Sequence, residues 1–158
     1  MSIFKDKTAF ITGATSGIGF EIAKELASSG CNIVFNYRSA SSRDLLVNDL
    51  GAYGVSIKAF KCDFLNQFET NDLLAFLQTQ EIDILVNSAG LFPIKNLQNS
   101  TIQDYDEIFQ VNVRVPFLLS KILGAKMCKN KCIAKITNMI NLQGAPGYGH
   151  APAQFQIL

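Results

Sequence analysis

A glycine-rich segment constrains the fold of this chain more than any other part of the sequence. It reads Thr12-Gly13-Ala14-Thr15-Ser16-Gly17-Ile18-Gly19. The β-rich run 8–12 precedes it, and apolar residues at a spacing of four follow it and predict an amphipathic helix over residues 17–29. Glycines at these positions let the backbone turn sharply, pack the helix close to a sheet and expose free N–H groups to an anion. The alternative interpretation is a tight turn whose glycines serve packing alone.

The rest of the chain alternates β-rich runs with stretches of helical period. Strands are predicted at residues 8–12, 32–37, 55–62, 82–86 and 133–138. Five helices are predicted. The first covers residues 17–29, the second follows the serines of residues 39–42, and the third is centred on Leu73, Leu74 and Leu77. The fourth begins at a capping box of Ser100 with Gln103, and the fifth covers residues 112–126. This alternation predicts one α/β domain over residues 1–158, a Rossmann-like doubly wound parallel sheet of order 3-2-1-4-5. The ligand site of such a sheet lies at the carboxyl ends of its strands.

Composition narrows the classes of partner. The 158 residues are 48% hydrophobic with a formal net charge of +1, which favours a small-molecule ligand over nucleic acid or an anionic membrane. Arg114 and Lys121 interrupt the richest apolar stretch and the start lacks the apolar core of a signal peptide, so we expect a cytoplasmic protein without a membrane partner. The four cysteines are too few and too scattered for a disulfide scaffold, and we expect no metal site.

Three further motifs follow the glycine-rich turn. They are Cys62-Asp63-Phe64 after the third predicted strand, Asp83-Ile84-Leu85-Val86-Asn87-Ser88-Ala89-Gly90 at the fourth, and Val111-Asn112-Val113 in the fifth predicted helix. With the Thr-Gly-x-x-x-Gly-x-Gly turn, they resemble the short-chain dehydrogenase/reductase family of classical type over about residues 7–138. The start of the chain is most similar to 3-oxoacyl-carrier-protein reductases and 3-hydroxybutyrate dehydrogenases. Ser88 departs from the pattern, since the family usually has a second asparagine there.

The resemblance implies a nicotinamide dinucleotide cofactor. Asp63 would accept a hydrogen bond from the adenine amino group with the backbone of Phe64 beside it, while Asn87, Ala89 and Gly90 would border the adenine ribose. From the residues alone, Asp63 is equally well interpreted as a strand-end acid in water. The predicted cofactor residues are Gly13, Thr15, Ser16, Gly17, Ile18, Gly19, Arg38, Ser39, Asp63, Phe64, Asn87, Ala89 and Gly90.

The segment after the second predicted strand bears on the choice between NAD and NADP. An acid there holds the 2′-hydroxyl of NAD, whereas a basic residue accommodates the 2′-phosphate of NADP. The segment reads Asn36-Tyr37-Arg38-Ser39 and contains no acid. Arg38 offers a planar fork for phosphate, and Ser39 or Ser41 offers a hydroxyl, so we predict NADP with NAD as the alternative. The other interpretation of Arg38 is a solvated arginine on a surface loop.

The family's proton-handling residues are missing from the pattern. The resemblance implies hydride transfer between the nicotinamide and a small carbonyl or alcohol, with a tyrosine as general acid/base, a lysine four residues later, a serine and a helix asparagine. Asn112 matches the asparagine. Counted along the family pattern, the serine, tyrosine and lysine positions fall on Asn141, Gln154 and Leu158. His150 can titrate near neutral pH, although a solvated loop histidine is its more ordinary interpretation.

These gaps lead to three hypotheses about what the chain does. Similarity fades over residues 139–158, so we expect a C-terminally truncated or frame-shifted oxidoreductase, weakly active or inactive, with a sheet that is incomplete at its C-terminal edge and prone to aggregation. The alternatives are a non-catalytic NAD(P)-binding regulatory or partner protein and an active reductase with an unusual acid. The family is usually homo-oligomeric, and the missing C-terminal part argues against the same assembly here. The substrate stays open.

Overall fold

Strands and helices alternate along the part of the chain that the structure, a computed structural model, describes: residues 2–93 and 97–130. The strands are β1 (Thr8–Thr12), β2 (Asn32–Tyr37), β3 (Ile57–Lys61) and β4 (Ile84–Asn87). The helices are α1 (Gly17–Ser28), α2 (Ala40–Gly51), α3 (Gln67–Thr79), α4 (Ile102–Phe109) and α5 (Val115–Asn130). A short 3-10 turn, Leu97–Asn99, precedes α4, and a π-helical turn, Gln110–Arg114, joins α4 to α5.

The strands form a parallel sheet of order β3-β2-β1-β4. In its register, Phe10 lies between Val34 and Leu85 on the two neighbouring strands. The α/β class and the predicted order 3-2-1-4 are therefore confirmed, while the predicted fifth strand, residues 133–138, lies outside the described residues. Because the strands run in the same direction, their carboxyl ends meet at one edge of the sheet.

Alternate strand residues divide the core into two layers. On one face, Ala9, Ile11, Ile33 and Phe35 pack with Ala23 and Leu26 of α1 and Leu46 and Leu50 of α2. On the other, Phe10, Val34 and Leu85 pack with Leu73 and Leu77 of α3 and Leu119, Leu123 and Met127 of α5. Each fully buried aliphatic or aromatic side chain contributes roughly 1.5–3 kcal/mol of transfer free energy. Helices on both faces explain why β1, β2 and β4 are largely apolar and buried, whereas the edge strand β3 has exposed lysines at Lys58 and Lys61.

The fourth strand begins later than its apolar pattern indicates. We predicted residues 82–86, and the strand is Ile84–Asn87. At Asp83 the N–H still donates to the Thr8 carbonyl at 2.8 Å, but the Thr8 N–H donates to the Asp83 carboxylate at 2.9 Å, and the Lys7 ammonium donates to the same carboxylate at 3.1 Å. The third strand is also shorter than predicted: at its start the Asn32 side chain accepts from Ser56 N–H at 2.9 Å, where a longer strand would use backbone.

The capping box of α4 is one residue later than predicted. Thr101, not Ser100, is the N-cap, and its hydroxyl accepts from the Asp104 N–H at 3.1 Å. The Asp104 carboxylate accepts in return from the Thr101 N–H at 2.8 Å and the Thr101 hydroxyl at 2.7 Å. A carboxylate is favoured over the neutral amide of Gln103 because the first turn of a helix is electropositive.

A widened turn corrects the prediction of a new helix over residues 112–126. The helical backbone runs from α4 through the π-helical turn into α5. A proline ring clashes with the carbonyl four residues earlier in an α-helix, and Pro116 would meet the carbonyl of Asn112 in this way. The wider turn relieves that clash.

The stretch Ile102–Met127 is long and apolar enough to cross a membrane by length and composition alone. Its buried hydrophobic residues recur at every fourth position: Val111, Val115, Leu119, Leu123 and Met127. All of them belong to the core layer that α5 forms with α3 on one face of the sheet. This is the burial pattern of a core helix in a globular domain.

Candidate functional site

A cleft of about 860 Å³ opens at the carboxyl edge of the sheet. Its walls are the segments that follow the four strands together with the π-helical turn. The structure brings nearly all of the sequence-predicted residues to this cleft: Gly13, Thr15, Ser16, Gly17, Ile18, Arg38, Ser39, Asp63, Phe64, Asn87, Ala89, Gly90 and Asn112 line it. Gly19 does not line the cleft but lies behind the turn, where a Cβ would overlap the carbonyl of Gly13.

Two glycines of the first turn have positive φ angles and different surroundings. At Gly13, with φ of +67°, a Cβ would lie 2.8 Å from backbone atoms of Ala89, so this glycine permits contact between two turns. At Gly17, with φ of +54°, a Cβ would meet nothing within 4 Å, so its backbone faces open space. Ser16 is the N-cap of α1 without a side-chain capping bond, and the first turn of the helix contains no acid. The N–H groups of this turn are therefore available to an anion.

A single hydroxyl links the first turn to the segment after β4. The Thr12 hydroxyl accepts from the N–H groups of Ser88 at 3.1 Å and Ala89 at 3.0 Å, and it lies 3.5 Å from the carbonyl of Val86. Thr12 is 2% exposed, so these bonds are protected from water. The hydroxyl holds both walls of the cleft in a fixed relation.

The segment after β2 contains two arginines with different surroundings. Arg43 is held by Asp44, whose carboxylate lies 2.7 Å from its guanidinium, and it lies over the ring of Tyr37 at 5.2 Å. Arg38 is exposed at the rim of the cleft and has no hydrogen bond or ion pair to any described residue. Beside it, Ser39 caps α2, and its hydroxyl lies 2.9 Å from that of Ser42.

The segment after β3 presents one free acceptor next to one free donor. One oxygen of Asp63 accepts from the Leu65 N–H at 3.0 Å, and among the described residues the other oxygen has no partner. The Asp63 N–H donates to Glu69 at 2.7 Å and the Asp63 carbonyl accepts from Asn66 N–H at 2.9 Å. The N–H of Phe64, a residue that lines the cleft, has no acceptor in the described part of the chain.

Cys62 precedes this segment and is chemically inert. Its side chain is fully buried, and burial raises the pKa of the thiol to about 12. The thiolate is the nucleophilic form of cysteine, so the thiol does not react at neutral pH. Its contribution is packing beneath the cleft.

Two buried side-chain amides beside the cleft have atoms without a hydrogen-bond partner among the described residues. Asn36 donates to the carbonyl of Cys62 at 3.1 Å, and its side-chain oxygen has no partner among residues 2–93 and 97–130. Asn87 is 0% exposed, and neither end of its amide is paired within the same residues. Unpaired buried amides cost free energy, so natural proteins rarely keep them without a partner or a function.

Asn112 holds the loop that closes the cleft after β4. Its side-chain oxygen accepts from Leu91 N–H at 2.8 Å, and its side-chain nitrogen donates to the Leu91 carbonyl at 3.0 Å. The two bonds mimic the pairing of one strand with another. The amide thus holds the backbone of Leu91 beside the cleft.

Comparison with known proteins identifies the family. The family model described as short chain dehydrogenase matches residues 7–153. The chain belongs to the short chain dehydrogenase family. The match extends 15 residues beyond the predicted limit of similarity, from 138 to 153.

Individual short chain dehydrogenases are similar over most of this chain. The 3-oxoacyl-[acyl-carrier-protein] reductase of Synechocystis is 30% identical over 97% of the chain and 64% of its own length. A blue fluorescent protein from a metagenomic library, solved in complex with NADPH, is 35% identical with a TM-score of 0.70, and the match covers 78% of this chain and 52% of that one. A short-chain dehydrogenase from Sphingobium yanoikuyae, also in complex with NADPH, is 25% identical with a TM-score of 0.77 over 82% and 52%. The chain therefore spans about half to two thirds of the length of these relatives.

The positions of the short chain dehydrogenase serine, tyrosine and lysine lie outside the described residues. Asn141, Gln154 and Leu158, together with the alternative acid His150, all fall there. Among the described residues, no three His, Cys, Asp or Glu side chains lie together as a metal site requires. The absence of a bound metal stays a prediction.

Three cleft-related residues were missed by sequence reasoning. Thr12 was read only as part of the turn motif, and nothing in the sequence indicated the buried amide of Asn36 as part of the wall. Gln110 donates to the carbonyl of Phe64 at 3.2 Å across 46 residues of sequence. The one available signal was the motif Val111-Asn112-Val113, which places an amide at this turn but does not identify the neighbouring glutamine.

Proposed function

We propose that the cleft binds NADP(H) and serves hydride transfer of the short chain dehydrogenase type, between the nicotinamide and a small carbonyl or alcohol. The observation that carries the proposal is, among the described residues, the unpaired N–H of Phe64 next to an unpaired carboxylate oxygen of Asp63. Both residues line the same cleft as the glycine-rich turn at Gly17. The chain spans only part of its relatives, so substrate and activity belong to this proposal and not to the comparison.

The adenine end of the proposed site matches the hydrogen-bonding edge of the base. Adenine offers an amino donor next to a ring-nitrogen acceptor. The free oxygen of Asp63 accepts from the former, and the N–H of Phe64 donates to the latter. Guanine presents the opposite order, a carbonyl acceptor beside an N–H donor, and would leave both protein groups unpaired.

The proposed phosphate contacts fit two separate features. The pyrophosphate fits the N-terminus of α1, where Gly17 leaves open space and N–H groups are free. The 2′-phosphate fits Arg38, whose guanidinium is unengaged by described residues, with the Ser39 hydroxyl beside it. Two solved structures similar to this chain contain NADPH, which agrees with the preference for the phosphorylated cofactor.

The chemistry follows from what this chain's own residues supply. The bound dinucleotide supplies a hydride at its nicotinamide ring. The chain binds and orients it, and Asn112 fixes the loop at Leu91 that borders the cleft. A general acid is needed to protonate the substrate oxygen, and Asn141, Gln154 and Leu158 at the family positions supply none. Losing a general acid costs about 10² to 10⁴ in rate, so we propose weak or absent turnover by these 158 residues.

The second candidate function is non-catalytic NADP(H) binding, as a regulatory or partner protein. It is favoured by the contrast between a complete set of proposed binding residues and the lack of the three proton-handling residues. We propose a cytoplasmic location for either function. Measurable NADPH oxidation with any member of a panel of ketones and 3-oxoacyl substrates would exclude the second function, because a non-catalytic binding protein gives none.

The test of cofactor binding is thermal unfolding of the 158-residue chain with NADPH and, separately, with NADH. A ligand selective for the native state stabilises it by about 2.7 kcal/mol at one hundred times its dissociation constant. We expect NADPH to raise the melting temperature at lower concentration than NADH. An unchanged melting temperature with both would refute the proposed function, and a stronger effect of NADH would remove Arg38 from its proposed role.

A further inference from the structure

We propose that Gln110 is a positioning residue of the adenine subsite and acts on the Asp63 carboxylate through the peptide unit between Phe64 and Leu65. The inference rests on the proposed function, because the subsite is the one proposed above to bind adenine. Gln110 does not line the cleft. Its effect on a ligand is therefore indirect.

The geometry forms a chain of two hydrogen bonds across one peptide unit. The side-chain nitrogen of Gln110 donates to the Phe64 carbonyl at 3.2 Å. The N–H of the same peptide unit belongs to Leu65 and donates to an Asp63 oxygen at 3.0 Å. No cis peptide bond occurs among the described residues, so the carbonyl and the N–H of this unit point in opposite directions. Fixing the carbonyl therefore fixes the direction of the N–H.

The remaining bonds of the loop leave this peptide unit dependent on Gln110. The unit between Asp63 and Phe64 is held at its carbonyl by the N–H of Asn66, the N-cap of α3, and the Asp63 N–H donates to Glu69. Within the described residues, the unit between Phe64 and Leu65 has one anchor outside its own loop, which is Gln110. Without that anchor the unit can rotate, and the N–H that holds the carboxylate moves with it.

Gln110 affects the ligand through the orientation of the Asp63 carboxylate, since the carboxylate itself is present with or without Gln110. With one oxygen held by Leu65, the Asp63 carboxylate is restrained about its terminal bond, and its second oxygen is directed for the adenine amino group. The Gln110 bond also polarises the peptide unit, which strengthens the Leu65 N–H as a donor. Loss of Gln110 should thus weaken the discrimination between bases more than it weakens the binding of the rest of the dinucleotide.

The test compares NADPH with deamino-NADPH, in which hypoxanthine replaces adenine and a carbonyl acceptor replaces the amino donor. Dissociation constants are measured by fluorescence titration of the 158-residue chain. We expect the natural chain to prefer NADPH by about tenfold or more, as for a hydrogen bond to a charged group. We expect Gln110→Met to reduce that preference to about twofold or less, because the carboxylate is no longer held in direction.

Two further variants separate positioning from general damage. Gln103→Met is the matched control, since Gln103 is an exposed glutamine of α4 that donates to Glu107 at 2.8 Å. It should keep the full preference. Gln110→Lys retains a donor of similar reach and should restore most of the preference. If Gln110→Met does not fold by circular dichroism, Gln110→Glu removes the donor in its place and is compared with Gln110→Lys.

The outcomes also distinguish this inference from the proposed function. If the natural chain binds neither dinucleotide, the proposed function fails and the inference falls with it. If the natural chain prefers NADPH and the donor-less variant keeps the same preference, the proposed function stands and the role of Gln110 is overturned. A parallel loss of affinity for both dinucleotides, with the ratio unchanged, would also overturn it, since a merely structural role predicts that pattern.

Discussion

Gly13 brings two turns of backbone into contact, and one methyl group is enough to test that contact. In Gly13→Ala the Cβ would lie 2.8 Å from backbone atoms of Ala89, at a φ of +67° that favours glycine. We expect the free energy of unfolding, measured by urea denaturation, to fall by at least about 2 kcal/mol. The control is Gly17→Ala, at a similar φ of +54° where a Cβ meets nothing within 4 Å, so only the cost of the left-handed backbone, about 1 kcal/mol, should appear. Equal effects would show that the contact with Ala89 yields easily.

We propose that the choice between NADPH and NADH depends on Arg38. Replacing it in Arg38→Leu removes a charge-assisted bond to the 2′-phosphate, so we expect the NADPH dissociation constant to rise about tenfold or more while that of NADH stays within about twofold. Fluorescence titration with each dinucleotide measures both values. Arg43→Leu is the control, since Asp44 and Tyr37 already hold that guanidinium. An unchanged NADPH affinity in Arg38→Leu would return Arg38 to the role of a solvated surface arginine.

At the scale of elements, Lys126 joins two helices by capping one of them. Its ammonium, carried on α5, donates to the carbonyls of Gln78 and Gln80 at the C-terminal end of α3. A cation at this end satisfies unpaired carbonyls and the helix dipole. We expect Lys126→Met to lower the free energy of unfolding by about 1 kcal/mol, whereas Lys121→Met, at an exposed position of the same helix, should change it by less than about 0.5 kcal/mol. A loss of equal size in both variants would contradict the capping role.

The limits of sequence reasoning also appear at the scale of elements. The first turn and α1 could be predicted because their determinants, the glycines and the apolar spacing, lie within a few residues of each other. The start of β4 could not, because Asp83 pairs with Thr8, which is 75 residues away in the sequence. The cap of α4 was missed by one residue because Ser100 and Thr101 both precede an acceptor three positions later. Only the charge of Asp104 separates the two choices.

The candidate site divides in the same way. Residues at or just after the carboxyl end of a strand, such as Gly13, Asp63 and Asn87, could be placed at one edge because topology brings strand ends together. Gln110 could not, since its effect depends on a widened helical turn reaching a loop 46 residues away. A side chain that holds a cleft-lining loop without lining the cleft itself leaves no local pattern in the sequence.

At the scale of the whole molecule, an apolar stripe on the long helix remains exposed. It consists of Ile102, Tyr105, Phe109, Val113 and Phe117. The spacing of three or four residues places these side chains on one face, opposite the buried row. Contiguous exposed apolar surface of this kind favours association between protein molecules.

We therefore expect the apparent mass of the chain in sedimentation to rise with protein concentration. Phe117→Lys places a charge within the stripe and should shift the distribution toward monomer. Ile3→Lys changes an equally apolar residue that is 75% exposed elsewhere on the surface, and it should have no effect. A chain that sediments as a monomer at all concentrations would contradict the expectation, as would equal behaviour of the two variants.

The hydrogen bonds of the Thr12 hydroxyl couple the opening motions of the two cleft walls. Because it accepts from the N–H groups of Ser88 and Ala89 while its own backbone leads into the glycine turn, the two walls cannot open independently. Amide hydrogens that exchange through one shared opening event report the same opening free energy. A ligand that touches only the turn at Gly17 would then slow deuterium uptake at Ser88 and Ala89 without contacting either. The cleft would then respond to its occupant as one cooperative unit, with the Thr12 hydroxyl as one of the links between its walls.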